Sequence, residues 1–339
     1  VSDVNVPIED HLRFTPEDDR IHAVGPTSDW TETTWWSFNV PERSLAGWLY
    51  AQVRPNLGTC AGGAFVYGPG AFAAWDHPYY CWESHERLPD RWDFDDVTFR
   101  NGVRVKMLEP GMTYELGYQV RDERDFCADL HFDGLTPPVP HLRGAPPFTG
   151  SSHYDQHGRV TGTLLLRGET IPVDCISVRD RSWGRRPELV GRTHRLSYAF
   201  GANDAGEAFL AFCAPPDEDQ LLEIERLNSG YLLRDGRLRR LVHAERRNVR
   251  DADTGGVTRI ELCGEDSDGR SLDTTGVACS AMALPTNHIT INTFLRWDLP
   301  GGPGWGEDQD VWPLPSFGDR RHARPPQGGW PSPAPVGAS

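Results

Sequence analysis

Apolar and polar positions along the chain fall into short runs separated by turn residues. The runs lie at 34–40, 44–53, 62–67, 103–109, 113–120 and 126–132, then at 160–166, 169–178, 195–201 and 207–213. A last group follows at 238–243, 256–263, 271–283 and 288–299. Most are rich in β-branched or aromatic residues and are bounded by Gly, Pro, Asn or Asp, which predicts strands. Asn101-Gly102, Asp235-Gly236 and Asp268-Gly269 supply the positive φ values of tight hairpins. Strands joined this way are antiparallel. The best helix candidate is 217–227, and no helical segment recurs between strands, which disfavours a parallel α/β sheet. More than a dozen antiparallel strands tend to close into barrels or stack. The expected fold is therefore all-β. A proline-rich stretch at 134–152 reads as a linker, placing a domain boundary near residue 150. The expected division is an N-terminal domain over 1–150, a C-terminal domain over 151–300 and a Pro/Gly-rich tail over 301–339.

Composition removes several functions. Of 34 basic residues only Lys106 is a lysine, and its neighbours are those of a strand, so there is no P-loop. A net charge of -15 opposes binding to a phosphate backbone, so no nucleic-acid partner is expected. The arginines at 234, 237, 239, 240, 246 and 247 read as a solvated strand face. No apolar run is long enough for a membrane span, and no secretion signal is read at the start. The seven cysteines are odd in number and widely spaced, which suits reduced, mostly buried thiols and a cytoplasmic location. His77, Cys81 and His85 would align only on a helix, which Pro78 opposes, so no metal is expected.

Aromatic clusters supply candidate ligand contacts. Trp75, Asp76 and Tyr80 belong to one dense run, read either as a core corner or as a pocket rim. Of Trp35 and Trp36, adjacent on a strand, at most one faces a given interior; Trp36 is the candidate. Tyr114 and Tyr118 share a face. The most unusual segment is Val178-Arg179-Asp180-Arg181-Ser182-Trp183-Gly184. Asp180 there is either a structural ion pair with a flanking arginine or a carboxyl group presented at a pocket.

The run at 153–187 and the run at 34–58 resemble a bacterial branch of the carotenoid 1,2-hydratase superfamily, which includes AttH-like proteins, kievitone hydratase and fungal decalin-forming Diels–Alderases. The shared element is Asp-x-x-Trp-Gly, matched by Asp180, Trp183 and Gly184. The resemblance implies two lipocalin-like β-barrel domains. It also implies hydration, cyclisation or other double-bond chemistry on a hydrophobic terpenoid, steroid or polyketide, without metal or organic cofactor. Carotenoid hydratases resemble Asp-His-x-Trp-Gly here, whereas this chain has Arg181, which cannot act as a general acid. His194, whose parity matches Tyr198, is a candidate substitute. The candidate catalytic residues are thus Asp180, Arg181 and His194, with Trp36, Trp75, Asp76, Tyr80, Tyr114, Tyr118, Trp183 and Tyr198 against the substrate. A carrier that holds a lipophilic ligand without chemistry, or a partner-binding protein using the tail, would fit the same fold.

Overall fold

A computed structural model describes residues 13–122, 124–141, 148, 150–186, 194–216, 223–286 and 288–322. The first eleven strands are β1 (Trp30–Val40), β2 (Leu45–Arg54), β3 (Thr59–Tyr67), β4 (Tyr79–Arg87), β5 (Asp96–Thr98), β6 (Val103–Glu109), β7 (Thr113–Gln119), β8 (Phe126–Gly134), β9 (Val139–His141), β10 (Ser151–Leu166) and β11 (Glu169–Arg185). They form one antiparallel sheet in the order β4-β3-β2-β1-β11-β10-β8-β7-β6-β5, with β9 also on β10, curled into a half-barrel. The next eight are β12 (Leu196–Ala202), β13 (Ala208–Ala214), β14 (Ile224–Arg234), β15 (Arg237–Arg250), β16 (Val257–Asp266), β17 (Ser271–Pro285), β18 (His288–Leu299) and β19 (Gly302–Pro313). They close a barrel in chain order, with β12 pairing β19, and a helix α1 (Leu314–His322) follows. The all-β fold with two barrel-like domains is as expected. Among the described residues, no helix is long and apolar enough to cross a membrane.

Three expectations about organisation change. The stretch at 134–152 carries β9 and enters β10 of the same sheet, so the chain leaves the first sheet only after Arg185. Residues 302–322 are not tail: they supply β19 and α1, while 323–339 lie outside the described residues. The acidic run in β19 disguised a strand, because Asp308 and Asp310 point inward onto buried arginines. The predicted helix at 217–227 falls partly outside the described residues, and its end, from Ile224, begins β14.

Both domain interiors are filled. The half-barrel encloses Trp36, Phe38, Leu49, Tyr114, Tyr118, Phe132 and Leu164. Its mouth is closed by a short 3-10 turn, Pro16–Asp19, whose Asp19 carboxylate accepts hydrogen bonds from Arg179 (2.8 Å), Tyr114 and Tyr154 (both 2.5 Å). The barrel encloses Phe209, Ile260, Leu262, Leu295 and Trp297 at one end. At the other end Arg246 binds Asp308 through two bonds of 2.6 and 2.8 Å. Arg195 contacts Glu225 and Asp310, and Arg250 contacts Asp310 and Glu223. Arg246 is therefore internal and Arg239 is buried, so the arginine run is not one solvated face.

A third core lies between the domains. Trp35, Trp48, Phe65, Tyr67 and Val178 of the sheet pack on Tyr198, Phe200, Leu210, Phe212, Tyr231 and Phe294 of the barrel. Polar contacts cross the same seam: Trp48 Nε1 and the Tyr67 hydroxyl donate to Glu307 at 3.1 and 2.7 Å, and His157 Nδ1 lies 2.8 Å from the Tyr231 hydroxyl.

Candidate functional site

A cavity of about 340 Å³ opens in this seam. That lies at the lower end of the range for small-molecule sites, roughly 300–1,000 Å³. The interiors of both domains are packed, so this cavity lies between them and not inside a barrel.

The sheet wall of the cavity follows from strand register. Asp155 on β10 pairs with Asp180 on β11, Asp180 with Trp35 on β1, Trp35 with Tyr50 on β2, Tyr50 with Gly63 on β3, and Gly63 with Trp82 on β4. One row of residues thus crosses six strands with its side chains on one face. Gly63 leaves a gap in that row, and the Tyr50 and Trp82 rings stack across it at 5.8 Å. A Cβ at Gly63 would lie 2.2 Å from the Cys81 carbonyl oxygen, and its φ is 152°. The next row is His153, Ser182, Thr33 and Gln52. The barrel wall includes Leu196, Tyr198, Phe212, Leu284, Gln309 and Val311, with Thr286, His288 and Thr290 beside them.

The two aspartates differ in state. Asp155 is fully buried. Burial alone would raise its pKa, but the His153 charge and hydrogen bonds from His141 and His153 outweigh this and hold it ionised. His141 Nε2 lies 2.5 Å and His153 Nε2 3.2 Å from its two oxygens, and the Tyr198 hydroxyl donates at 2.5 Å. His141 is kept neutral by burial, its pKa down to about 4. His153 titrates above its ordinary value because the Asp155 charge and hydrogen bond overcome burial. Asp180 is partly exposed, and its exposed surface faces the cavity. Burial first, and then the Asp155 charge, push its carboxyl up to about 7 against the pull of His153, Arg186 and Arg181. An acid in this state gives up a proton near neutrality and takes it back.

His141, His153 and Asp155 carry donor atoms within 4.8 Å of one another, the arrangement among the described residues closest to a metal centre. Each such atom is already hydrogen-bonded, with His141 Nδ1 2.6 Å from Ser229 Oγ. The donor set is a hydrogen-bonded cluster around the Asp155 carboxylate, beside Asp180.

Of the residues singled out from sequence, Asp180 and Tyr198 line the cavity. Arg181 and Trp183 lie on the opposite face of β11. Arg181 binds Glu32 at 2.8 Å, and the Trp183 ring stacks on His22 at 3.9 Å. Gly184 is required because a Cβ there would sit 2.9 Å from Gly150 O and Ser151 Cα, at φ 130°. The Asp-x-x-Trp-Gly element thus presents its Asp to the cavity and uses Trp and Gly to hold the strand end. His194 is exposed ahead of β12, away from the cavity. Trp36, Tyr114 and Tyr118 face the half-barrel interior. It is Trp35 that turns to the cavity, since adjacent strand residues point to opposite faces. Trp75 is 86% exposed, Asp76 is exposed, and Tyr80 packs on Phe65 outside the cavity lining.

Sequence reading missed Asp155, His153, His141, Trp48, Tyr50, Trp82, Phe148 and Arg186. A usable signal was present in His153-Tyr-Asp155-Gln-His157, where every second residue is titratable and therefore shares a face.

The fold has solved relatives. Kievitone hydratase from Nectria haematococca matches at 13% identity and a TM-score of 0.50, over 85% of this chain and 90% of that one. CghA solved with Sch210972 matches at 14% identity and 0.54, over 84% and 89%. CghA solved alone matches at 14% and 0.51, over 89% and 96%. These matches show the fold that the resemblance carried by Asp180, Trp183 and Gly184 implies. No curated protein sequence matches the chain. A family model described as "Domain of unknown function (DUF7064)" matches residues 15–306, and the chain belongs to that family.

Proposed function

We propose that the protein is a lyase or isomerase that carries out hydration, cyclisation or double-bond migration on a hydrophobic terpenoid, steroid or polyketide held between its two domains. The observation that carries this reading is one carboxyl group. Asp180 opens onto an aromatic-lined cavity and keeps its proton up to about pH 7 beside an ionised Asp155. In this reading Asp180 protonates an alkene carbon or an enone oxygen of the ligand. The faces of Trp35 and Tyr50 offer about 0.5–2 kcal/mol each to a developing cation. The Asp180 carboxylate then takes a proton back, from the neighbouring carbon in an isomerisation or cyclisation, or from the attacking water in a hydration. The cycle is redox-neutral and leaves the enzyme unchanged. His153, held beside Asp155, stabilises the carboxylate formed midway. The closed seam restricts water and fixes the ligand near the acid, where most of the barrier reduction arises. Kievitone hydratase, by its name a hydratase on the same fold, supports a reaction of this class.

The test is incubation with a panel of unsaturated terpenoids, steroids and polyketides in deuterated water, followed by mass spectrometry. The expected result is a product, or solvent deuterium fixed at carbon, with wild type and at least 100-fold less with Asp180→Asn. A ligand that binds and returns unchanged throughout makes the protein a carrier.

A further inference from the structure

The arginines inside this molecule are matched to carboxylates. Arg179 meets Asp19, Arg181 meets Glu32, Arg195 meets Glu225 and Asp310, Arg246 meets Asp308, and Arg250 meets Asp310 and Glu223. Arg186 departs from this pattern. It lines the cavity just past the end of β11, and its backbone N–H is fixed to Asp29 O at 2.8 Å. Its Nη2 donates to Ser182 Oγ at 2.5 Å, and it lies beside the Tyr50 phenol. Among the described residues, no carboxylate comes within 4.0 Å of its guanidinium. Hydroxyls orient it, and its charge is felt by the Asp180 carboxyl without an ion pair among the described residues.

We propose that Arg186 is the specificity residue of this cavity and that it recognises a carboxylate on an otherwise apolar ligand. The assignment rests on the cavity being the ligand site, as in the proposed function, and narrows the class to lipophilic acids. The geometry fits such a molecule. On the sheet wall His153, Ser182, Thr33 and Gln52 form one polar row, and Arg186 is held on it by Ser182. Beside that row Trp35, Trp48, Phe212, Leu284 and Val311 supply apolar surface, and the barrel adds Thr286, His288, Thr290 and Gln309. An amphipathic ligand is thereby oriented, acid group at the arginine and hydrocarbon along the aromatic seam. A guanidinium offers a planar fork of donors that matches a carboxylate bidentately, which a hydroxyl ligand does not exploit. A partly dry cavity strengthens the charge-assisted pair relative to one in water. The Asp180 carboxyl projects from the same strand, two residues before Ser182, so an acid anchored on Arg186 holds its chain in reach of the proposed proton donor.

The experiment is isothermal titration calorimetry of the full chain with two matched probes, farnesoic acid and farnesol, at pH 7. Wild type is expected to bind the acid at least 10-fold more tightly than the alcohol. Arg186→Gln removes that preference while leaving farnesol affinity within about twofold, which also certifies its fold. Arg186→Lys restores part of the preference through the charge alone. Equal affinity for acid and alcohol in wild type, or a preference that survives Arg186→Gln, overturns the assignment while leaving the cavity as a ligand site. Failure of both probes to bind wild type overturns the cavity reading and this inference with it.

Discussion

Asp155 and Asp180 stand directly opposite each other on β10 and β11, and they hold opposite protonation states. Asp155 is surrounded by His141, His153 and the Tyr198 hydroxyl and stays ionised. Asp180 faces the cavity, and its proton is retained because burial and the charge across the ladder both disfavour a second anion. Two titratable groups driven apart by their surroundings mark an acid and its electrostatic partner.

The first prediction concerns pH. The proposed reaction needs protonated Asp180, so its rate is full below about pH 7 and falls as pH rises through that value. Asp155→Asn removes the neighbouring negative charge, and Asp180 then ionises at lower pH. The descending limb of the pH–rate profile is expected to move to lower pH in that variant. A limb that stays in place would show that Asp155 does not tune Asp180.

Adjacent residues are expected to fail differently. Trp36→Leu opens space in the half-barrel interior, beside Tyr114, Phe132 and the Arg179 guanidinium. It costs about 2–4 kcal/mol of unfolding free energy in urea and leaves ligand affinity nearly unchanged. Trp35→Leu widens the cavity wall and weakens ligand binding at least fivefold. Calorimetric titration beside urea melts separates the two effects.

Glu307 predicts a pH-dependent stability. Buried at the seam, it is pushed up to about 8 from an ordinary 4.5, despite hydrogen bonds from Tyr67 and Trp48. The folded state holds the proton more tightly than the unfolded chain, so stability falls as pH rises from about 4.5 to about 8. Glu307→Gln keeps an oxygen acceptor for both donors and cannot ionise. Its Tm is expected to match wild type at pH 5 and to exceed it by several degrees at pH 9, consistent with a contribution of order a few kcal/mol.

The barrel's charged interior makes a fourth prediction. Arg246→Met leaves Asp308 buried without the guanidinium that binds both of its oxygens. Removing one partner of such a pair costs about 3–5 kcal/mol. Arg246→Met combined with Asp308→Leu recovers a large part of that loss, read from denaturant midpoints.

The fold was legible where turns announced themselves. Asp235 and Gly236 take φ of 55° and 66°, as a two-residue hairpin requires. Arg167-Gly168 makes the same turn, with φ of 52° and 82°, yet an arginine at that place gives no cue. That omission hid the site. Counting eleven residues back along each strand from the Leu166–Glu169 pair brings Asp155 opposite Asp180. Tyr198 and Asp180 were found because strand parity and an unusual segment pointed to them. Trp36 was preferred over Trp35 because parity separates two faces without naming which one meets a second domain. His194 shares parity with Tyr198, but the regular strand begins only at Leu196, so the alternation does not extend to it.

Because the cavity is a seam between two solid bodies, its two walls come from separate stretches of chain. Residues 33–82 and 148–186 build one side, and 196–212 with 284–311 build the other. The acid, its charged neighbour and the arginine all belong to the first. Substitutions at Leu196, Leu284 and Val311 can therefore reshape the cavity from the barrel side, whereas Phe212 packs on His141 and His153 and Tyr198 donates to Asp155. In the proposed reaction the sheet is a fixed plate under an exchangeable cover, and divergence in ligand choice is expected to accumulate at Leu196, Leu284 and Val311.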